Sequence, residues 1–207
     1  MNEFSPRLTN YRLFLISLLF FVSCYKKPDI VPIDPIPVSQ PTFDSLVEEF
    51  SICRGDGVII TKGSISGNLK FHFTATPEQA FIEFKDLLGR SVIEIHLIDE
   101  NILAYDVLRK QKYSHEQLVS IMPILEVFSA NDFRSTLWGI EPKIPSSSAL
   151  EIIESMEIES EPTPQGILVR RIDATSMDKA QKMVIQFINR EFGLSYPELE
   201  RRMTKHG

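Results

Sequence analysis

Cysteine is scarce in this chain: Cys24 and Cys53 are the only two in 207 residues, so a disulfide framework is excluded. Clustered positive charge is missing as well. Lys and Arg number 22 against 28 Asp and Glu, for a net charge of −6, and Lys26–Lys27 is an isolated pair. That pattern excludes the phosphate-binding footprint of a DNA- or RNA-binding protein and offers no polybasic segment for anionic lipid. The four histidines, His72, His96, His115 and His206, are scattered, and none falls in an HExxH or other paired-ligand spacing. Glycine-based signatures fail too. GSISG at 63–67 carries Ile65 where a nucleophile elbow needs serine, and RGDG at 54–57 lacks the spacing of a phosphate cradle and reads as a turn. Cys53 has no histidine near it in sequence to activate it, and reads as a small half-buried side chain opening a strand. No catalytic residue, metal site or cofactor is expected, and an enzyme is not the expectation.

What is present begins at the N-terminus. Arg7 and Arg12 precede an apolar stretch, Leu13–Val22, in which Ser17 is the one polar residue, and small Ser23 stands before Cys24. Ten residues fall well short of the roughly 20 that span a bilayer as a helix. The layout is that of a secretory signal, and its FVSC ending resembles the lipobox of bacterial lipoproteins, with Phe21 departing from the usual aliphatic residue. The resemblance implies that residues 1–23 are removed and that Cys24 becomes a lipidated N-terminus. The remaining chain then has 20 basic against 27 acidic residues, a net charge of −7. Its hold on a membrane must come from acyl chains, of which one binds marginally and two or more bind stably.

Residues 24–41 form a tether. Pro28, Pro32, Pro35, Pro37 and Pro41 fall within fourteen positions, which blocks helix and sheet ladders and favours an extended polyproline II chain. At roughly 3.1 Å per residue it reaches up to about 50 Å from the membrane. From Thr42 to residue 207 the texture is that of a single domain with one substantial core.

Thr42 is placed to cap a short amphipathic helix carrying Phe43, Leu46, Val47 and Phe50 at helical spacing. Strands with period two follow. Leu69, Phe71 and Phe73 form one apolar row, then Ala80, Ile82 and Phe84, then Ile93, Ile95 and Leu97, then Leu103, Tyr105 and Val107. Such alternation predicts antiparallel hairpins with one apolar and one wet face. The period then switches. Ser114 and Gln117 form a capping box before Leu118, Ile121, Met122 and Leu125, with Pro123 as a break, and a second helix runs from about Asn131 to Trp138 and stops at Gly139. Strands resume over 150–159, where Leu150, Ile152, Met156 and Ile158 face one way, and over 167–172 and 183–188, while Leu199 and Met203 mark a helical tail. The fold class expected is mainly β with some α: a curved antiparallel sheet whose concave apolar face is covered by helices.

Three features together resemble the LolB family of outer-membrane lipoprotein receptors, within the wider LolA/LolB half-barrel superfamily. They are FIEFKDLLGRSVIEIHL at 81–97, like the family's strand–PLG–strand hairpin with Leu87 in place of the usual proline; DFRSTLWGIEP at 132–142, similar to its short helix ending in a Trp-x-x-Gly or Leu-Gly-x-Pro pattern; and the lipobox with its stalk. The resemblance implies a half β-barrel with a helical lid and an apolar cavity that takes the acyl chains of lipoproteins delivered by a soluble periplasmic carrier protein. The implied lining is Phe71, Phe73, Ile82, Phe84, Ile93 and Ile95 from the strands, with Leu118, Met122, Phe133 and Leu137 from the helices. Leu87, Leu88 and Gly89 fall at the loop that assists membrane insertion in that family, and Leu88 is the protruding residue. Tyr25 does not match the Asp of the inner-membrane retention signal, which implies an outer-membrane destination facing the periplasm. The alternative is a structural or protein-interaction lipoprotein of the same fold, with a filled core and no lipid cargo.

Overall fold

The computed structural model describes residues 39–63, 66–121, 125, 127–143, 153–177 and 181–195, all within one compact unit of residues 38–207. The signal segment, Cys24, the stalk to residue 38, Ile65, Met122, Pro123, Leu150, Ile152 and the tail with Leu199 and Met203 lie outside the described residues. In chain order the elements are α1 (Phe43–Glu49), β1 (Ile52–Lys62), β2 (Gly67–Ala75), β3 (Gln79–Lys85), β4 (Ser91–Ile98), β5 (Asn101–Asp106), β6 (Gln111–Lys112), α2 (His115–Ile121), α3 (Ala130–Leu137), β7 (Ile153–Thr163), β8 (Gly166–Ser176) and β9 (Lys182–Gly193). The strands make one open sheet in the order β6-β5-β4-β3-β2-β1-β9-β8-β7. Every described pairing is antiparallel. The sheet is a half-barrel, and the fold class matches the one expected from the alternation.

Period two in the side chains builds its inner face. Phe71 and Phe73 of β2, Ile82 and Phe84 of β3, and Ile93, Ile95 and Leu97 of β4 are all buried; the residues between them are not, although Thr74 and Ala75 beyond Phe73 are buried as well. Strand β5 departs from expectation. Ala104 and Asp106 face the core and Leu103 is exposed, so the row Leu103–Tyr105–Val107 lies a residue out of phase. The carboxylate of Asp106 is tolerated there because it accepts from Arg109 N (2.7 Å) and Tyr113 Oη (3.0 Å). Burial raises its pKa, but these donors and the Arg109 charge outweigh that and hold it below the usual carboxylate range.

RGDG at 54–57 is a second correction: it lies inside β1, not in a turn. Gly55 pairs with Phe73 and Gly57 with Phe71. A Cβ at Gly55 would stand 2.6 Å from the Phe73 ring, and one at Gly57 would stand 2.2 Å from the Phe71 ring. These glycines leave the space into which two rings of β2 lie over β1. Beside Gly57 the β1–β9 register slips, so that Asp56 faces Asn189 and Gly57 faces Phe187. The skipped residue, Ile188, is turned out to solvent.

The helices cover the concave side. Thr42 and Ser45 close a capping box on α1, and Ser129 and Asp132 close another on α3. The Ser114–Gln117 box at α2 is also formed, through Ser114 N to Gln117 Oε1 (2.9 Å) and Gln117 N to Ser114 Oγ (3.2 Å). Leu46, Leu118, Phe133, Leu137 and Trp138 join the core. α3 ends at Gly139, whose φ of +91° lets its N–H reach Thr136 O at 2.9 Å. Arg190 of β9 secures the same end, donating from Nε to Leu137 O (2.9 Å) and from Nη2 to Thr136 O (3.1 Å) while lying 3.8 Å over the Phe187 ring. Burial pushes its pKa down to about 10. Cys53 is fully rather than half buried, with its thiol 3.7 Å from Leu137 O, and burial pushes it up to about 12.

The domain begins before Thr42. Ser39 O accepts from Ile167 N at 3.3 Å, and Pro41 lies against Gly166, so the last residues of the proline-rich stretch dock on the β7–β8 hairpin.

Candidate membrane-facing site

The β3–β4 hairpin turns at Asp86-Leu87-Leu88-Gly89-Arg90, and its shape is set by Asp86. The Asp86 carboxylate accepts from Leu88 N (2.9 Å), Arg90 N (3.0 Å) and Arg90 Nε (2.7 Å). Its backbone N–H donates to Arg90 O at 3.0 Å and its carbonyl accepts from Gly89 N at 2.9 Å. The Arg90 backbone N–H, and after it the Arg90 guanidinium, hold the Asp86 carboxyl below its ordinary value. Gly89 takes φ +78° in open space. With its polar groups satisfied inside the turn, the tip has nowhere inward to send its apolar side chains. Leu87 is 81% exposed and Leu88 79%. Neither is folded under the sheet.

Behind the tip lies the concave face. Phe71, Ile82, Phe84, Phe133 and Leu137, together with Ile59, Ile185 and Phe187, surround an apolar void of about 10 Å³ between the sheet and α3. Phe73, Ile93, Ile95 and Leu118 are buried in the same core. Rings pack against rings here, with Phe71 centred 5.7 Å from Phe84 and 5.8 Å from Phe187. A void of this size is about one water in volume, so the space is filled by side chains rather than left for a ligand. Of the sequence-derived lining, the structure unites all but Met122, which lies outside the described residues.

A larger space lies on the other side of the sheet. Glu94, His96 and Ile98 of β4 and Leu103 and Tyr105 of β5 line an open groove of about 440 Å³ that ends at Lys112 and Tyr113. Sequence reasoning missed it because it placed Leu103 and Tyr105 on the apolar face. Among the described residues, no group of three or more His, Cys, Asp or Glu is arranged to hold a metal ion, and no helix is long and apolar enough to cross a membrane.

No protein-family profile and no curated protein matches this chain. Similar solved structures include a DUF1329 family protein from Desulfovibrio piger ATCC 29098, with a TM-score of 0.47 and 10% identity over 72% of this chain and 89% of that one. A putative outer membrane lipoprotein-sorting protein domain from Vibrio parahaemolyticus gives 0.47 and 8%, over 75% and 92% of the two chains. A LolA superfamily protein from Nitrosomonas europaea gives 0.34 and 8%, over 77% and 97%.

Proposed function

We propose that this chain is a lipoprotein anchored in the outer membrane through acyl chains on Cys24, which receives acylated cargo from a periplasmic carrier protein and inserts it through the Leu87–Leu88 tip. The observation that carries the reading is the tip itself. Two leucines stand about four-fifths exposed on a turn whose own hydrogen bonds hold it open. Neither side chain gains anything from water, and burial in acyl chains supplies about 1.5–3 kcal/mol for each. The concave face is the surface suited to a cargo acyl chain. With a void of about 10 Å³, a chain enters only where α3 lifts away from β2 and β4.

Leu88→Glu tests the role of the tip. Stability should stay within about 0.5 kcal/mol of the parent, as for other exposed turn substitutions, while transfer of an acylated peptide into liposomes falls because a carboxylate must be desolvated to enter lipid. A stable variant with intact transfer rejects the role. Cys24→Ser should abolish palmitate labelling, and labelling that persists rejects the anchor.

The close packing around Phe71, with a void of only about 10 Å³ among the described residues beneath α3, favours a second reading, a structural or protein-interaction lipoprotein of the same fold without lipid cargo. Native mass spectrometry of the gently extracted full chain separates the two. Co-purified lipid or acylated peptide supports cargo handling, and a ligand-free chain in every preparation supports the second.

A further inference from the structure

The antiparallel order brings four turns to one rim of the sheet: β1–β2 after Lys62, β3–β4 at 86–90, β5–β6 at 107–110 and β8–β9 after Ser176. Exposed apolar side chains gather there. Besides Leu87 and Leu88, Leu108 is 59% and Met177 52% exposed. So do cations: Lys62, Arg90, Arg109, Lys110, Lys112 and Lys182 are all exposed at these turns and strand ends. The acids at this rim are mostly occupied. Asp86 pairs with Arg90, Asp106 with Arg109, and Asp173 with Arg171 and Lys182, while Glu154 and, opposite Asp173, Glu157 are exposed, so Lys62, Lys110 and Lys112 are the rim cations outside these pairs. On the opposite rim Glu78, Asp99 and Glu100 are exposed on the turns, and the Arg134 guanidinium donates to the Glu78 and Asp99 carbonyls.

Two of the cross-strand pairs beside the basic rim are unfavourable by themselves. Lys62 stands directly opposite Lys182 and Lys70 directly opposite Lys85, an arrangement that destabilises a sheet and that Asp173 beside Lys182 and Glu83 beside Lys85 offset in part. A rim that sets exposed Lys62, Lys110 and Lys112 among exposed Leu87, Leu88, Leu108 and Met177 is complementary to a negatively charged, partly apolar partner. We infer that this rim docks on a bilayer surface containing anionic phospholipid: the lysines and arginines meet headgroup phosphates and the four apolar side chains enter the interface. Docking in this way sets the domain's orientation, with its carboxylate rim turned away from the leaflet. It shares the tip with the cargo-insertion reading but does not need cargo.

The test is hydrogen exchange by mass spectrometry on the full chain reconstituted into vesicles of phosphatidylcholine alone, or with about 30% phosphatidylglycerol, a composition that sets the surface potential acting on the lysines. The amides of 86–90 and 107–110 should exchange more slowly on the anionic vesicles, those of Thr76, Glu78 and 99–100 should not change, and about 0.5 M salt should erase the difference. Lys62→Gln, Lys110→Asn and Lys112→Gln combined should erase it too, since three cations at roughly fivefold each lower the docked population by about 100-fold. The parent Tm should be kept, because Lys62→Gln removes a like-charge pair. Equal exchange on both vesicle types, slowing at both rims, or protection that survives in the triple variant overturns the inference. Rim protection without cargo transfer would reject the insertion role and leave the docking intact.

Discussion

Gly57→Ala adds one methyl group where the structure has no place for it. The new Cβ would stand 2.2 Å from Phe71 Cζ, 2.6 Å from Phe71 Cε1 and 2.6 Å from Gln186 O. Ordinary carbon–carbon contact is about 3.5–4.0 Å, so the ring must retreat by more than 1 Å. It cannot do so cheaply. Phe71 is 3% exposed, with the rings of Phe73, Phe84 and Phe187 centred 5.7 to 6.2 Å away and a void of only about 10 Å³ beside them. Overpacking of a tight core costs about 1–3 kcal/mol. The close backbone oxygen, which cannot rotate aside, places this site at the upper end. The stiffer unfolded chain returns about 0.4–1 kcal/mol, leaving a net cost of about 2 kcal/mol, or a Tm lower by about 4–8 °C in a domain of this size. Thermal denaturation of the single variant, of Phe71→Leu and of the double variant completes a cycle. In the Phe71→Leu background, Gly57→Ala should cost about 1 kcal/mol less than in the parent, because the smaller side chain vacates the ring clash while that with Gln186 O remains. An equal cost in both backgrounds, or a neutral single variant, would refute the argument that the glycine exists to seat the ring.

Other expectations concern buried polar groups. Asp106 has its pKa below the usual carboxylate range, so its stabilising contribution is complete above about pH 4 and is lost as pH falls through the lowered value. Asp106→Asn should cost about 1–3 kcal/mol at pH 7 and flatten the fall of Tm below about pH 4. An unchanged acid slope would show that other carboxylates govern it. Cys53, with its thiol at about 12 and no exposed surface, should resist maleimide at pH 8 in the folded chain and react once unfolded; rapid native labelling would contradict the burial. Arg190→Lys should lower stability by about 2 kcal/mol, because an ammonium cannot serve the Thr136 and Leu137 carbonyls with the planar fork that guanidinium offers. A Tm equal to the parent would mean the carbonyls find other donors.

The parts of the fold legible in the sequence are those governed by local periodicity. Phe71, Phe73, Ile82, Phe84, Ile93 and Ile95 are buried where the alternation places them, and the Thr42 and Ser114 caps form where their residue types predict. The misreadings share one cause: the deciding partner lies on another strand. RGDG has the composition of a turn, and only the Phe71 and Phe73 rings of β2 explain two glycines inside β1. In β5, hydropathy favours Leu103 and Tyr105 as the inner row. Asp106 can face inward because Tyr113 and Arg109 satisfy it, and that is a tertiary fact. The basic rim was invisible for the same reason. Its lysines are spread from 62 to 182 and share a rim only through the order of the sheet, which sets Lys62 opposite Lys182 and brings the β5–β6 turn with Lys110 to the same side.

That ladder also dictates an order of events in the making of the protein. Strands β1 to β6 are linked by short hairpins that pair as soon as they exist, and β7 to β9 form a second such set. The two sets are joined within the sheet by β1 and β9, where Cys53 meets Phe192. Nearly the whole domain must be synthesised before β1 receives its second neighbour, and until then it presents an open, largely apolar edge. The vulnerable moment in this protein's life is the interval before β9 arrives. A chaperone that shields one strand, Ile52 to Lys62, would protect the nascent chain through most of that interval.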